Sequence, residues 1–299
     1  MSKILVLGSV NTDLIIYTPK IPKSGETILG GEFMKKLGGK GANQAIAASR
    51  MNATVFLYAN IGKDGFGEDH LRNFNKEGVN FQFIHSDPSS PTGIALINVD
   101  KNGNNSITVA PGANANLKLN QENEILENFN KEDIFICQLE IPLATIKKLK
   151  AISEKIGNRL IINPAPALPL PDAIYSNLFM ITPNEHEASF LTGIEYSNQD
   201  SLKKMGKWFI NKGVQEVIIT LGSAGVFWMN KNKSQFFSAK VVKAIDTTAA
   251  GDCFNGCLAA QLADNIKMEA AIQKSIIAAS ISVTRKGAQE SMPYAFELN

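Results

Sequence analysis

The chain predicts a three-layer α/β/α fold around a mainly parallel central sheet, with a small β-sheet lid. Short apolar runs bounded by Gly, Pro or Asn recur along the sequence, as strands buried on both faces require. Helical patterns separate these runs, and alternation of this kind favours a parallel sheet covered on both sides. Two half-polar, β-rich segments interrupt the alternation and supply the lid.

The apolar runs are residues 4–7, 55–58, 134–137, 160–162, 179–181 and 217–221. Helices are expected over 41–51, 66–77, 142–156, 184–191, 199–212, 251–263 and 267–284. In 251–263, Phe254, Cys257, Leu258 and Leu262 form the helical apolar pattern. Residues 12–35 and 92–110 read as hairpins added to the main sheet, the second with turn chemistry at 100–104. So small a flap cannot bury both faces, so it is expected to close over a ligand or pair with a second subunit. A further antiparallel set is expected from 225–229, 234–237 and 241–245. No repeat or linker divides the chain, and 1–299 reads as one domain carrying the lid segments.

With 299 residues, 44% of them hydrophobic and 19% charged, the chain has ample material for a large core. A net charge of +2 with interspersed signs offers no basic stripe, so no nucleic-acid partner is expected. Met1 leads straight into an apolar strand without a basic leader, and no long hydrophobic span follows; a cytoplasmic protein without a membrane partner is expected. Cys137, Cys253 and Cys257 form no metal or disulfide framework.

Chemistry concentrates at a few turns. In Asp246-Thr247-Thr248-Ala249-Ala250-Gly251-Asp252, a carboxylate stands directly behind a small-residue turn at a helix start. Free N–H groups there attract phosphate, so Asp252 reads as a base beside an anion hole or as ordinary first-turn capping. Upstream, Gly38-Gly39-Lys40-Gly41-Ala42-Asn43-Gln44 opens another helix, and Lys40 and Asn43 offer donors that could orient a polyol. A phosphate-binding P-loop is excluded because neither Ser nor Thr follows the lysine. Polar residues also follow the apolar runs at Asn11 and Asp13, Glu140, and Asn184 to Glu187, where Thr182 and Glu185 suggest a capping box and His186 a solvent-facing position. Gly222 and Gly225 punctuate the segment from Thr220, which a hairpin turn alone would explain. Arg285 and Lys286 before Gly287 read as charges at a helix C-terminus.

In order and spacing these motifs, from Gly8 to Ser291, resemble the ribokinase-like (PfkB) family of carbohydrate kinases. The resemblance implies ATP-dependent phosphorylation of D-ribose at O5, with Asp252 as catalytic base and Ala249, Ala250 and Gly251 as anion hole. It implies sugar contacts from Asn11, Asp13, Gly38, Gly39, Lys40, Asn43, Glu140 and Asp252. Nucleotide contacts are implied for Asn184, Glu187, Thr220, Gly222, Ser223, Gly225 and Gly251, with Glu187 reaching Mg²⁺ through water. A K⁺ ion is implied beside Asp246, Thr248, Ser282, Arg285, Gly287 and Ser291, largely through carbonyl groups, and a homodimer through the lid. A kinase for deoxyribose, fructose or a nucleoside would keep Asp252 and alter the lid. A sugar-sensing protein without catalysis is disfavoured by the intact Asp252 turn.

Overall fold

A computed structural model describes residues 2–298. In chain order the strands are β1 (Lys3–Leu7), β2 (Asn11–Thr18), β3 (Phe33–Gly38), β4 (Thr54–Gly62), β5 (Asn80–Asp87), β6 (Gly93–Asp100) and β7 (Asn105–Ala110). Then follow β8 (Ile134–Cys137), β9 (Arg159–Ile162), β10 (Met180–Ile181), β11 (Glu216–Thr220), β12 (Gly225–Asn230) and β13 (Ser234–Ser238). The α-helices are α1 (Lys40–Arg50), α2 (Gly65–Lys76), α3 (Glu122–Asn128), α4 (Leu143–Ile156) and α5 (Asp172–Tyr175). They continue with α6 (Glu185–Thr192), α7 (Gln199–Asn211), α8 (Ala250–Ala263) and α9 (Met268–Ser282).

The principal sheet has nine strands in the order β13-β12-β11-β10-β9-β8-β1-β4-β5. From β5 to β11 every neighbouring pair is parallel, and β12 and β13 add an antiparallel edge. Side chains alternate across a strand, so β1 feeds two cores. Ile4 and Val6 pack on one face with Ile46 of α1, Leu258 of α8 and Ile272 of α9. Leu5 and Leu7 pack on the other with Leu149 of α4 and Phe209 of α7. Both faces are covered, which is why the parallel strands read as continuous apolar runs.

The lid forms a separate four-stranded sheet, β3-β2-β6-β7, rather than hairpins added to the main sheet. Strands β2 and β6 pair in parallel, which brings two distant segments side by side where each alone suggested a local hairpin. The third piece of the expected C-terminal set is not a strand: 241–245 is extended chain with Val241 and Ile245 exposed, and Ile245 donates its N–H to the Val283 carbonyl at 2.7 Å. Edge strand β5, half polar and largely exposed, lacks the apolar signature that marked its neighbours. Among the described residues no helix is long and apolar enough to cross a membrane.

Topology places the site. Chain order runs from β1 to β4 and β5 on one side and resumes with β8 on the other, so β1 and β8 flank a switch in direction. Crevices outside the carboxyl ends of strands at such a switch are where open α/β sheets bind ligands. Segments leaving β1, β8, β9, β10 and β11 carry Asn11, Glu140, Asn163, Asn184 and Gly222 respectively.

Candidate active site

Two helix starts face this crevice, and they differ in what satisfies them. The first turn of α1 is filled by the protein. Ser9 accepts the Ala42 N–H on its carbonyl at 3.0 Å, and Glu140 Oε2 accepts the Lys40 N–H at 3.3 Å and the Ser9 hydroxyl at 2.5 Å. A carboxylate at the positive end of α1 leaves no seat there for phosphate. The start of α8 is open. Ala249 precedes it in the left-handed region at φ 58°, and the N–H groups of Gly251 and Asp252 meet no acceptor among the described residues. Gly251 is exposed, and a Cβ built on it would meet no atom within 4 Å outside its own turn. Ala250 donates a long bond of 3.3 Å to the Thr247 carbonyl.

Asp252 is not a cap. Its side chain turns back to α1, where Asn43 Nδ2 donates to Oδ2 at 2.9 Å and Gln44 Nε2 donates to Oδ1 at 2.9 Å. Close approach of α1 and α8 makes this possible: at Gly256 an added Cβ would lie 2.4 Å from the Gln44 carbonyl oxygen and 2.5 Å from Ala47 Cβ. Burial raises the Asp252 pKa above the usual carboxylate value, opposed by the charge of Lys40 and by the Asn43 and Gln44 amides. Lys40 loses hydration by burial, yet Asp252, Glu140, Glu187 and Asp13 together carry its pKa above the ordinary lysine value.

The structure brings Asn11, Asp13, Gly38 and Gly39, to which the resemblance assigns sugar contacts, close to one another. Asp13, on β2, projects over Gly38, where any Cβ would meet its Oδ2 at 2.5 Å. Burial, reinforced by Glu140, Glu290 and Asp252, pushes the Asp13 carboxyl up to about 7. Asn11 Oδ1 accepts from Asn114 Nδ2 at 2.8 Å, which turns its amide NH₂ free to donate elsewhere. Gly39 sits at φ 90° because its α-carbon lies against the β1–β2 turn: a Cβ would come within 2.5 Å of the Asn11 nitrogen. Backbone packing by itself therefore requires glycine at position 39.

Downstream positions divide between the phosphate side and a neighbouring loop. The capping box belongs to Asn184 and Glu187, not to Thr182 and Glu185: Asn184 Oδ1 accepts the Glu187 N–H at 2.8 Å and Glu187 Oε2 accepts the Asn184 N–H at 2.9 Å. Thr182 is unavailable because its hydroxyl donates to Asn255 of α8 at 2.6 Å. Glu187 is buried with its pKa raised by desolvation, and its Oε1 accepts no bond among the described residues, so it remains open to a metal-bound water. His186 is exposed, as expected. Gly222, at φ 53°, borders open space beside exposed Ser223, while Thr220 ends β11. Gly225 has a local cause: a Cβ there would lie 2.0 Å from the Phe237 carbonyl.

Asp246 ties the α8 turn to the loop after α9. Its two oxygens accept the N–H groups of Thr248 and Gly287, both at 2.9 Å. The side chains of Ser282 and Ser291 donate to the Ala279 and Ala288 carbonyls, and Arg285 pairs with Glu297. The Arg285 side chain is thus engaged in an ion pair, and the two serine hydroxyls spend their protons on backbone carbonyls. Cys137, Cys253 and Cys257 are buried free thiols.

Sequence reasoning missed four polar side chains of the crevice. Ser9 anchors Glu140, and Gln138, Asn163 and Gln289 complete the amide contacts around Asn43 and Gln44. Consecutive amides at 43 and 44, set among alanines and glycines in a helix with buried faces, were the available signal.

The pfkB family carbohydrate kinase profile matches residues 1–295. Ribokinase of Haemophilus influenzae is 42% identical over 288 residues, covering 96% of this chain and 94% of that protein. Deoxyribokinase of Salmonella typhi is 36% identical over 297 residues, covering 99% and 97%. The structure of Arabidopsis thaliana ribokinase complexed with ribose and ATP superposes with a TM-score of 0.93 at 28% identity, covering 100% of this chain and 98% of that one. An open helix N-terminus, a buried carboxylate beside it and this full-length similarity agree: the chain belongs to the pfkB family of carbohydrate kinases.

Proposed function

We infer that the chain transfers the γ-phosphoryl group of ATP to O5 of D-ribose, giving D-ribose 5-phosphate and ADP. The observation that carries this reading is Asp252, a buried carboxylate at the start of α8, beside the Gly251 and Asp252 N–H groups that meet no acceptor among the described residues. Its sugar side is built by Asn11, Asp13, Gly38, Gly39, Lys40, Asn43 and Glu140. Its phosphate side is built by Ala249, Ala250 and Gly251, with Asn184, Glu187, Thr220, Gly222, Ser223 and Gly225 along the nucleotide.

Asp252 accepts the O5 proton as O5 bonds to the γ-phosphorus and the bond to the β–γ bridging oxygen breaks. ADP leaves with that electron pair. Burial raises the proton affinity of Asp252, which suits a base. N–H groups at the start of α8 are directed at charge developing on the transferred phosphoryl oxygens; one such donor is worth about 2.7–4 kcal/mol in other enzymes. Lys40 balances the carboxylates around the sugar. Mg²⁺, held through water at Glu187, supplies positive charge to the phosphates when bound. A K⁺ seat is assigned to Asp246 and the carbonyl groups of Thr248, Ser282, Arg285, Gly287 and Ser291.

A coupled ADP-release assay in the presence of Mg²⁺ tests the reading. ADP release is expected to depend on sugar, to favour ribose over deoxyribose and fructose, and to fall when a large organic cation replaces K⁺. The KM for ribose is expected to rise as pH falls below about 7, because Asp13 then takes up a proton and loses an acceptor. Sugar-independent ADP release would overturn the assignment, and preference for deoxyribose would reassign the substrate.

The enzyme is proposed to work in the cytoplasm as a homodimer joined through the lid. Ile16, Phe33 and Leu96 lie on one face of that sheet and are 41%, 61% and 52% exposed, an apolar set that a second copy would cover. Light scattering is expected to give about twice the 32.4 kDa chain mass, and Leu96→Asp to lower it toward the monomer; a wild-type monomer at assay concentration would reject the dimer.

A further inference from the structure

We propose that Gln44 is a positioning residue for phosphoryl transfer, an amide that holds one oxygen of the Asp252 carboxylate in place by a hydrogen bond from a buried network. The inference rests on Asp252 being the base. Gln44 is fully buried, and its Nε2 donates both to Asp252 Oδ1 at 2.9 Å and to Asn163 Oδ1 at 3.0 Å.

The polarity of this chain of amides is set from behind. Gln138 Nε2 donates to Gln44 Oε1 at 2.7 Å, and Asn163 Nδ2 donates to the Thr182 carbonyl at 2.9 Å. If the Gln44 amide were reversed, its oxygen would face two acceptors and its NH₂ would face the Gln138 donor. Gln138 Oε1 stays buried without a partner, so the orientation is fixed by the two acceptors, Asp252 Oδ1 and Asn163 Oδ1, and only an NH₂ directed at them satisfies both.

Neighbouring residues on a helix point about 100° apart and do not usually share a target. Asn43 and Gln44 do so here by gripping the two oxygens of one carboxylate. Their surroundings differ. Asn43 Oδ1 accepts from Gln289 Nε2 at 3.1 Å, whereas Gln44 is joined to buried Gln138 and Asn163. Gln44 therefore acts on the base without touching either substrate.

Hydrogen bonds to the ionised form lower a carboxyl pKa, so the Gln44 amide offsets part of the burial that raises it. The charged groups around Asp252 are Lys40 on α1, Asp13 on β2, Glu140 after β8 and Glu187 on α6. A neutral amide tunes the base without altering that balance.

Gln44→Met keeps nearly the same volume and removes the donor. Its kcat is expected to fall about 10- to 100-fold, with the acidic limb of the kcat–pH profile moved up by about one unit. The KM values for ribose and ATP should stay within about threefold, since only the base is disturbed. Gln138→Met, which frees the Gln44 amide without touching Asp252, should move the limb in the same direction by less and serves if the first variant does not fold. An unmoved acidic limb in both variants, or a fall in kcat that tracks Tm alone, would overturn the proposal. If Asp252→Asn is inactive while Gln44→Met shows the wild-type profile, this inference fails and the base assignment stands; an active Asp252→Asn defeats the base assignment itself.

Discussion

Asp252→Asn is expected to lower kcat by about 10²–10⁴-fold, the range that positioned acid–base groups supply. The amide is close to the carboxylate in size, but it cannot take the O5 proton. Asn43 and Gln44 both present N–H groups to residue 252, so one of them would face the new NH₂ and lose its acceptor. That rearrangement is local. The Ser9–Glu140 contact and the Lys40 N–H bond to Glu140 do not involve residue 252, so calorimetric titration should still detect ribose binding. Turnover within tenfold of wild type would show that another group removes the proton.

The second large effect is expected from a residue that touches no ligand. Gly256→Ala adds one methyl where the nearest atoms are the Gln44 carbonyl oxygen at 2.4 Å, Ala47 Cβ at 2.5 Å and the Ala48 nitrogen at 3.0 Å. Two of these are helix backbone and the third is a Cβ, so no flexible side chain can swing aside. The helices must separate, and overpacking of this kind costs about 1–3 kcal/mol. Because Asn43 and Gln44 ride on α1 while Asp252 rides on α8, the same separation loosens both grips on the carboxylate. A shift of about 1 Å at a reacting group costs on the order of 100-fold in rate. The variant should therefore show both a lower Tm and a lower kcat, read by calorimetry and the ADP-release assay. Unchanged values of both would mean that α1 and α8 accommodate the methyl without moving.

These two positions show how differently the sequence exposes function. Asp252 is legible because its chemistry is local: a carboxylate in a turn of small residues, with a helical apolar pattern behind it. Gly256 carries no such mark, since a glycine in a helix has many causes and only the partner helix supplies the reason. Glu187 lies between these cases. By type and spacing alone, the Thr182 hydroxyl and the Glu185 carboxylate suggest the capping box that Asn184 and Glu187 in fact form. The Thr182 hydroxyl instead bonds Asn255, more than seventy residues away in the chain. Similarly, 241–245 reads as part of an antiparallel set yet is not a strand, and its Ile245 N–H bonds the Val283 carbonyl on the loop after α9.

By itself the sequence determined the α/β class, the parallel strands and the chemical turns, because apolar periodicity, glycine turns and carboxylate placement are encoded within a few residues of chain. It also spoke against a P-loop through the residue after Lys40. Tertiary structure alone decided which helix start is free. Glu140 and Ser9, brought in from the ends of β8 and β1, fill the N-terminus of α1, and nothing within the described chain fills that of α8. It also decided what holds Asp252, since the amides at 43 and 44 and the carboxylate at 252 meet only because two helices cross at Gly256. Such contacts join residues some two hundred positions apart, where no local periodicity can report them, and they depend on distances of a few ångströms that only packing fixes.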